Sequence, residues 1–173
     1  MTDKQESILE TALELFATVG YNATSTSKIA RQAGVSEGLI FRHFTNKKGL
    51  LQALIKEAEE RIGQLFAPII FEDDPKEVIR KTILLPFNID QSEYNFWKLQ
   101  FKLKWEEEYN NPNKMKPVID KLSWAFGELG FEDPANEALL LNQLLDAIGT
   151  GILRDGYKSQ TGLKDLLLSK YGV

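Results

Sequence analysis

The chain has 173 residues, 43% of them hydrophobic and 27% charged, a balance typical of a globular protein with room for one full core. It has no cysteine and a single histidine, which excludes disulfides and thiolate metal sites and leaves little equipment for catalysis. The net charge of −4 hides an asymmetry: residues 20–56 hold six cations (Lys28, Arg31, Arg42, Lys47, Lys48, Lys56) against Glu37 alone, so that segment is +5 and the remainder −9.

Nearly every segment carries helical periodicity. Ile8, Leu9, Ala12, Leu13, Leu15, Phe16 and Val19 predict a first helix that Gly20 stops. Ser25, Thr26 and Ser27 offer N-caps for a short second helix with Ile29, Ala30 and Ala33 on its apolar face, ended by Gly34. Ser36 caps a third helix, and Asn46 a fourth with the stripe Leu50, Leu51, Leu54, Ile55, Ala58 and Ile62. Asp74-Pro75-Lys76-Glu77 reads as N-cap, N1 proline and N3 glutamate. Ser92-Glu93 opens a helix bearing Tyr94, Phe96, Trp97, Phe101, Trp105 and Tyr109, and residues 110–113 read as a turn. Further helices are expected around Val118–Leu129, from Asp133-Pro134 through a stretch apolar on almost every side, and from Leu163 to Tyr171. No strand alternation, repeat or low-complexity stretch intervenes. The expected fold is all-α: a helix-turn-helix domain over residues 1–46 and a helical bundle over 47–173.

Only Gly34-Val35-Ser36 separates the second and third helices. Glycine permits the sharp reversal and Ser36 can cap the third helix, the pattern of a helix-turn-helix whose second member enters a DNA major groove. An acidic chain with one basic patch fits that reading, since the patch draws phosphate while the body stays dispersed. The stretch from Ile8 to Ile55, with Phe16, Gly20-Tyr21, Ile29-Ala30, Ala33-Gly34-Val35-Ser36, Gly38, His43-Phe44, Lys47 and Leu50, resembles the DNA-binding domain of the TetR family of transcriptional regulators. The resemblance implies a homodimer that sets its third helices in successive major grooves of double-stranded operator DNA, roughly 34 Å apart. It assigns Thr26 and Ser27 to phosphate contact and Ser36, Glu37, Gly38 and Leu39 to the start of the recognition helix. Arg42 and His43 continue that helix, with Arg42 suited either to a guanine or to a phosphate. Lys47 is assigned to phosphate. Phe41 stands where the family usually has a phosphate-touching tyrosine, so its expected role is packing or an apolar contact, for instance with a thymine methyl.

The same resemblance implies a small-molecule effector in the C-terminal half. Phe87, Phe96, Trp97, Phe101, Trp105 and Trp124 are candidate wall residues, with Gln100, Asn142 and Asp146 as polar anchors; plain core packing is the competing role. The effector is expected to be apolar or aromatic, and repression the mode. The last two helices, through Leu139, Leu140, Leu144, Leu145, Ile148, Ile152, Leu153, Leu163, Leu166 and Leu167, are the expected homodimer surface. No cofactor, metal or membrane is expected, and the compartment is the cytoplasm: no apolar run spans a bilayer and the N-terminus lacks the order of a signal peptide. An enzyme is disfavoured, because the run Glu106, Glu107, Glu108 has no histidine partner. The alternative retained is a helical protein-interaction module without specific DNA binding.

Overall fold

The computed structural model describes residues 2–106, 109 and 113–173; the acidic run's Glu107 and Glu108 and most of the turn expected at 110–113 lie outside them. Among the described residues every regular element is helical. They are α1 (Asp3–Thr18), α2 (Thr26–Gln32), α3 (Glu37–Phe44), α4 (Lys47–Ile70), α5 (Pro75–Leu84), α6 (Tyr94–Leu103), α7 (Lys116–Glu128), α8 (Pro134–Asp155) and α9 (Thr161–Tyr171), with 3-10 turns at Pro86–Asn88, Gln91–Glu93 and Tyr157–Ser159. The chain divides into two compact units, Met1–Ile62 with Ser92–Glu107, and Gly63–Gln91 with Glu108–Val173. This differs from a boundary at residue 46: the first two-thirds of α4 and all of α6 group with the head.

Local chemistry accounts for the helix ends. Thr2 and Gln5 form a capping box on α1, Ser25 accepts from Lys28 N–H, and Asp74 and Asp133 cap α5 and α8, each followed by an N1 proline. Gly34, at φ +67°, closes α2 in a Schellman motif, with the Val35 N–H on the Ala30 carbonyl at 3.0 Å. Helix α6 ends at Leu103, so Trp105 and Tyr109 fall beyond the aromatic helix expected to carry them.

The head's core gathers Ile8, Ala12 and Phe16 of α1, Ile29 of α2, Ile40 of α3 and Leu50, Leu51 and Ala58 of α4, all fully or almost fully buried. Helix α6 packs on α1, and Lys102 Nζ donates to the Ala17 carbonyl at 2.5 Å, placing a cation at the negative end of α1. In the second unit α7 packs on α8 and on α5 around Val78, Ile83, Leu122, Phe126 and Leu141. Helix α9 runs antiparallel to α8: Tyr171 Oη donates to Glu137 at 2.7 Å at one end, and Gln160 closes on Gly151 at the other. A Cβ at residue 151 would lie 2.9 Å from Gln160 Nε2, so the small residue permits that approach.

Candidate nucleic-acid interface

Helix α3 buries Ile40 and half-buries Leu39, His43 and Phe44, which leaves Gly38, Phe41, Arg42 and Thr45 exposed at i, i+3, i+4 and i+7. Phe41 is 47% exposed, so the candidate role in core packing is overturned: the ring sits on the solvent stripe beside Arg42. Arg42 has no ion pair among the described residues, and its guanidinium fork is uncommitted. Ser36 occupies the N-cap of α3 but makes no capping bond, contrary to expectation; its exposed hydroxyl stays available.

Three struts hold this stripe, and two of them redirect a residue assigned to phosphate. Thr26 Oγ1 donates to Glu37 Oε1 at 2.6 Å. The hydroxyl's one hydrogen is thereby spent, and Thr26 can reach a phosphate only through its backbone N–H. Glu37 ties the first turn of α3 to the first turn of α2. Lys47 Nζ donates to the Tyr21 carbonyl at 2.9 Å and the Thr24 carbonyl at 3.0 Å and lies over the Tyr21 ring at 4.3 Å. It pins the α1–α2 loop to the start of α4, two of its three donors committed. His43 Nδ1 meets Gln5 Nε2 at 3.2 Å, fixing α3 against the N-terminus of α1. Of Thr26 and Ser27, only Ser27 is exposed.

Beside the stripe lies an open depression of about 650 Å³ lined by Thr2, Asp3, Lys4, Leu39, Arg42 and His43. Lys4, Arg42 and the histidine make it favourable for an anion, tempered by Asp3. The far end of α3 turns sharply into α4. Thr45 has φ 67° and ψ −46°, and the Asn46 N–H reaches the Phe44 carbonyl at 2.7 Å, a strained γ-turn that only a constrained framework holds. Asn46 then caps α4 by accepting the Gly49 N–H at 2.9 Å. Gln5, Lys4 and the Lys47 loop anchor were not read from the sequence as parts of this surface; the Thr2-x-x-Gln5 capping spacing was the available signal for the first.

The candidate effector residues divide between the units. Phe96, Trp97, Gln100, Phe101 and Trp105 belong to the head unit, and Phe87, Trp124, Asn142 and Asp146 to the second. Phe96 and Phe87 are buried, the latter edge-on to Tyr157 at 6.3 Å. Trp105 is 90% exposed and Asp146 lies on the surface of the single chain. Trp124 is also exposed, with Lys121 Nζ over its ring at 4.0 Å. Trp97 stands apart: its indole Nε1 is buried with no hydrogen-bond partner among the described residues. Those residues contain no cluster of metal-binding side chains, and no helix is long and apolar enough to cross a membrane.

Residues 8–54 match the family profile "Bacterial regulatory proteins, tetR family". The chain is 42% identical over 65 residues to the HTH-type transcriptional regulator YvkB of Bacillus subtilis, a match covering 38% of this chain but only 34% of that protein. Several curated relatives are likewise matched over about a third of their length. The likeness to the HTH-type transcriptional regulator BetI of Proteus mirabilis is longer, 27% identity over 94% of this chain and 82% of that one. The TetR family regulator PfmR of Thermus thermophilus superposes with a TM-score of 0.70 at 22% identity, covering 97% of each chain, which establishes a shared fold. Residues 8–54 thus match the tetR family profile in sequence, and the whole length shares the fold of a TetR family regulator.

Proposed function

We propose that the protein is a homodimeric transcriptional regulator that binds palindromic operator DNA through α3 and acts as a repressor released by a small effector. The observation that carries this reading is the exposed stripe Gly38, Phe41, Arg42 on a short helix held by three struts, within a +5 segment of an acidic chain. Arginine on such a stripe binds guanine O6 and N7 in a fork, while the exposed Ser27 and Ser36 hydroxyls suit phosphate. Gly38 lets the helix backbone approach the groove closely.

Dimerisation is supported by α8 and α9. Leu139, Leu140 and Leu144 on α8 and Leu163 and Leu166 on α9 remain exposed, Leu166 at 61%, while Leu145, Ile148, Ile152, Leu153 and Leu167 turn into the unit's own core. The antiparallel pairing of α8 with α9 sets Leu163 and Leu166 alongside the middle of α8. An isologous four-helix interface would bury both rows. For the effector, the support is the aromatic face of α6 and the orphan Trp97 N–H, which suits an apolar or aromatic compound that also carries an acceptor. Because Lys102 anchors α6 to the end of α1, a ligand that shifts α6 would disturb the head directly.

Selection of bound duplexes from a random pool tests the core of this reading. The expected product is a palindrome with half-sites about one helical turn apart, bound with an affinity that falls steeply with salt. Failure to retain any duplex in dilute buffer would refute it and favour a protein-interaction role.

A further inference from the structure

The contact between α1 and α3 has a forced hydrogen-bond polarity. Gln5 Oε1 accepts from the Thr2 backbone N–H at 2.9 Å and from Thr2 Oγ1 at 3.3 Å. A backbone N–H can only donate, so the Gln5 amide cannot be turned the other way. Its NH2 group, itself only a donor, therefore faces His43 Nδ1 at 3.2 Å. Nδ1 must accept, and in the neutral ring the proton then resides on Nε2. His43 is half-buried and lines the open depression together with Arg42 and Lys4.

We propose that Gln5 is a positioning residue for DNA recognition: it fixes His43 as the neutral Nε2–H tautomer and orients that N–H as a donor to a backbone phosphate seated in the α1–α3 depression. This rests on the DNA-binding reading and adds to it a residue on α1, outside the helix-turn-helix pair. One side chain performs two tasks. Its carbonyl half completes the α1 cap, and its amide half sets the imidazole, so the start of α1 and the reading helix are held in one register.

His43 is the chain's only histidine, so its ring nitrogens can be observed alone in a two-bond proton–nitrogen spectrum of the uniformly labelled full chain. At about pH 8 the free protein should show a protonated Nε2 and an accepting Nδ1. Gln5→Glu keeps the capping spacing, because a carboxylate oxygen still accepts the Thr2 N–H, but it offers His43 only an acceptor. That variant should reverse the pattern to Nδ1–H. Gln5→Ala should release the ring and weaken binding to the selected duplex about three- to tenfold, the cost of re-ordering one side chain on association. Thr2→Ala weakens the same cap but leaves the Thr2 backbone N–H that orients the Gln5 amide, so it should keep the wild-type tautomer and lose less DNA affinity than Gln5→Ala. An Nδ1–H or unbiased ring in the wild type overturns the proposal. So does a Gln5→Ala protein that binds as the wild type does, or a Thr2→Ala protein that loses as much as Gln5→Ala. If the wild-type chain retains no duplex, the phosphate role falls with the DNA-binding reading, and the ring spectrum alone decides the Gln5 assignment.

Discussion

Removing the Lys47 ammonium separates a structural from a DNA-contacting lysine. Lys47→Met keeps most of the stem and deletes the charge. It strips donors from the Tyr21 and Thr24 carbonyls, now 2.9 and 3.0 Å from Nζ, and removes the cation from the Tyr21 face at 4.3 Å. A hydrogen bond to a charged group contributes ~1.5–3 kcal/mol when buried, but these are only part-buried and the freed carbonyls regain some water. A net loss of about 2 kcal/mol is the reasonable total. For a chain this long that lowers Tm by roughly 4–8 °C. The assay is thermal melting by circular dichroism without DNA, followed by DNA affinity against salt. A phosphate-bound lysine predicts the reverse pattern: little change in Tm and a salt slope shallower by about 0.9. A Lys47→Met protein that melts within a degree of the wild type and loses that slope would refute the strut.

The same geometry carries further expectations. Arg42→Ala should leave Tm unchanged, since the side chain is exposed, and cut discrimination between selected and random duplexes by about 1–3 kcal/mol, measured by competition; equal loss on both would make Arg42 a backbone contact. Thr45→Gly should raise Tm by roughly 2–4 °C as positive-φ strain is relieved, read by melting. Leu144→Glu with Leu166→Glu should yield monomer in sedimentation at micromolar concentration while helicity is kept, since both leucines are exposed in the single chain. The Lys81 ammonium and the Asp73 and Asp74 N–H groups pull Glu72 down to about 2, so its stabilising effect is complete above the ordinary carboxylate range near 4.5 and is lost as pH falls through 2. Glu72→Gln should therefore lower Tm at neutral pH, with the difference from wild type closing in acid.

Much of this architecture was legible because its signals are local. Caps at Ser25, Asp74 and Asp133, the N1 prolines and the positive-φ Gly34 each lie within a few residues of the helix they bound. The apolar stretch in α8 was read as needing two buried faces; the structure divides it, with Leu141, Leu145, Ile148 and Ile152 inward and Leu139, Leu140 and Leu144 outward. Illegible from periodicity were contacts between residues far apart in the chain. The Lys47 ammonium meets carbonyls more than twenty positions earlier, and Gln5 meets His43 across thirty-eight. Backbone carbonyls carry no sequence signature, so a lysine aimed at them looks identical to one aimed at DNA. Ser36 shows the converse: the cap position was correct, yet its hydroxyl makes no capping bond.

That division of labour gives the surface its physical character. Thr26, Glu37, Lys47 and His43 spend hydrogen-bonding capacity inside the head, so the helix they surround is held before any partner arrives. Gly38, Phe41 and Arg42 are exposed on it, and only one of those three has a long flexible side chain to order. Association then costs little backbone reorganisation, and its selectivity depends on what a few exposed groups meet. The strained Thr45 turn fits the same economy: a γ-turn in this region persists only where its neighbours over-determine it, and here Ile40, Leu50 and the Asn46 cap do so. Loosening any one strut should therefore weaken binding without removing a single contact to the nucleic acid, and paired strut substitutions should couple non-additively in DNA affinity, because they restrain one helix.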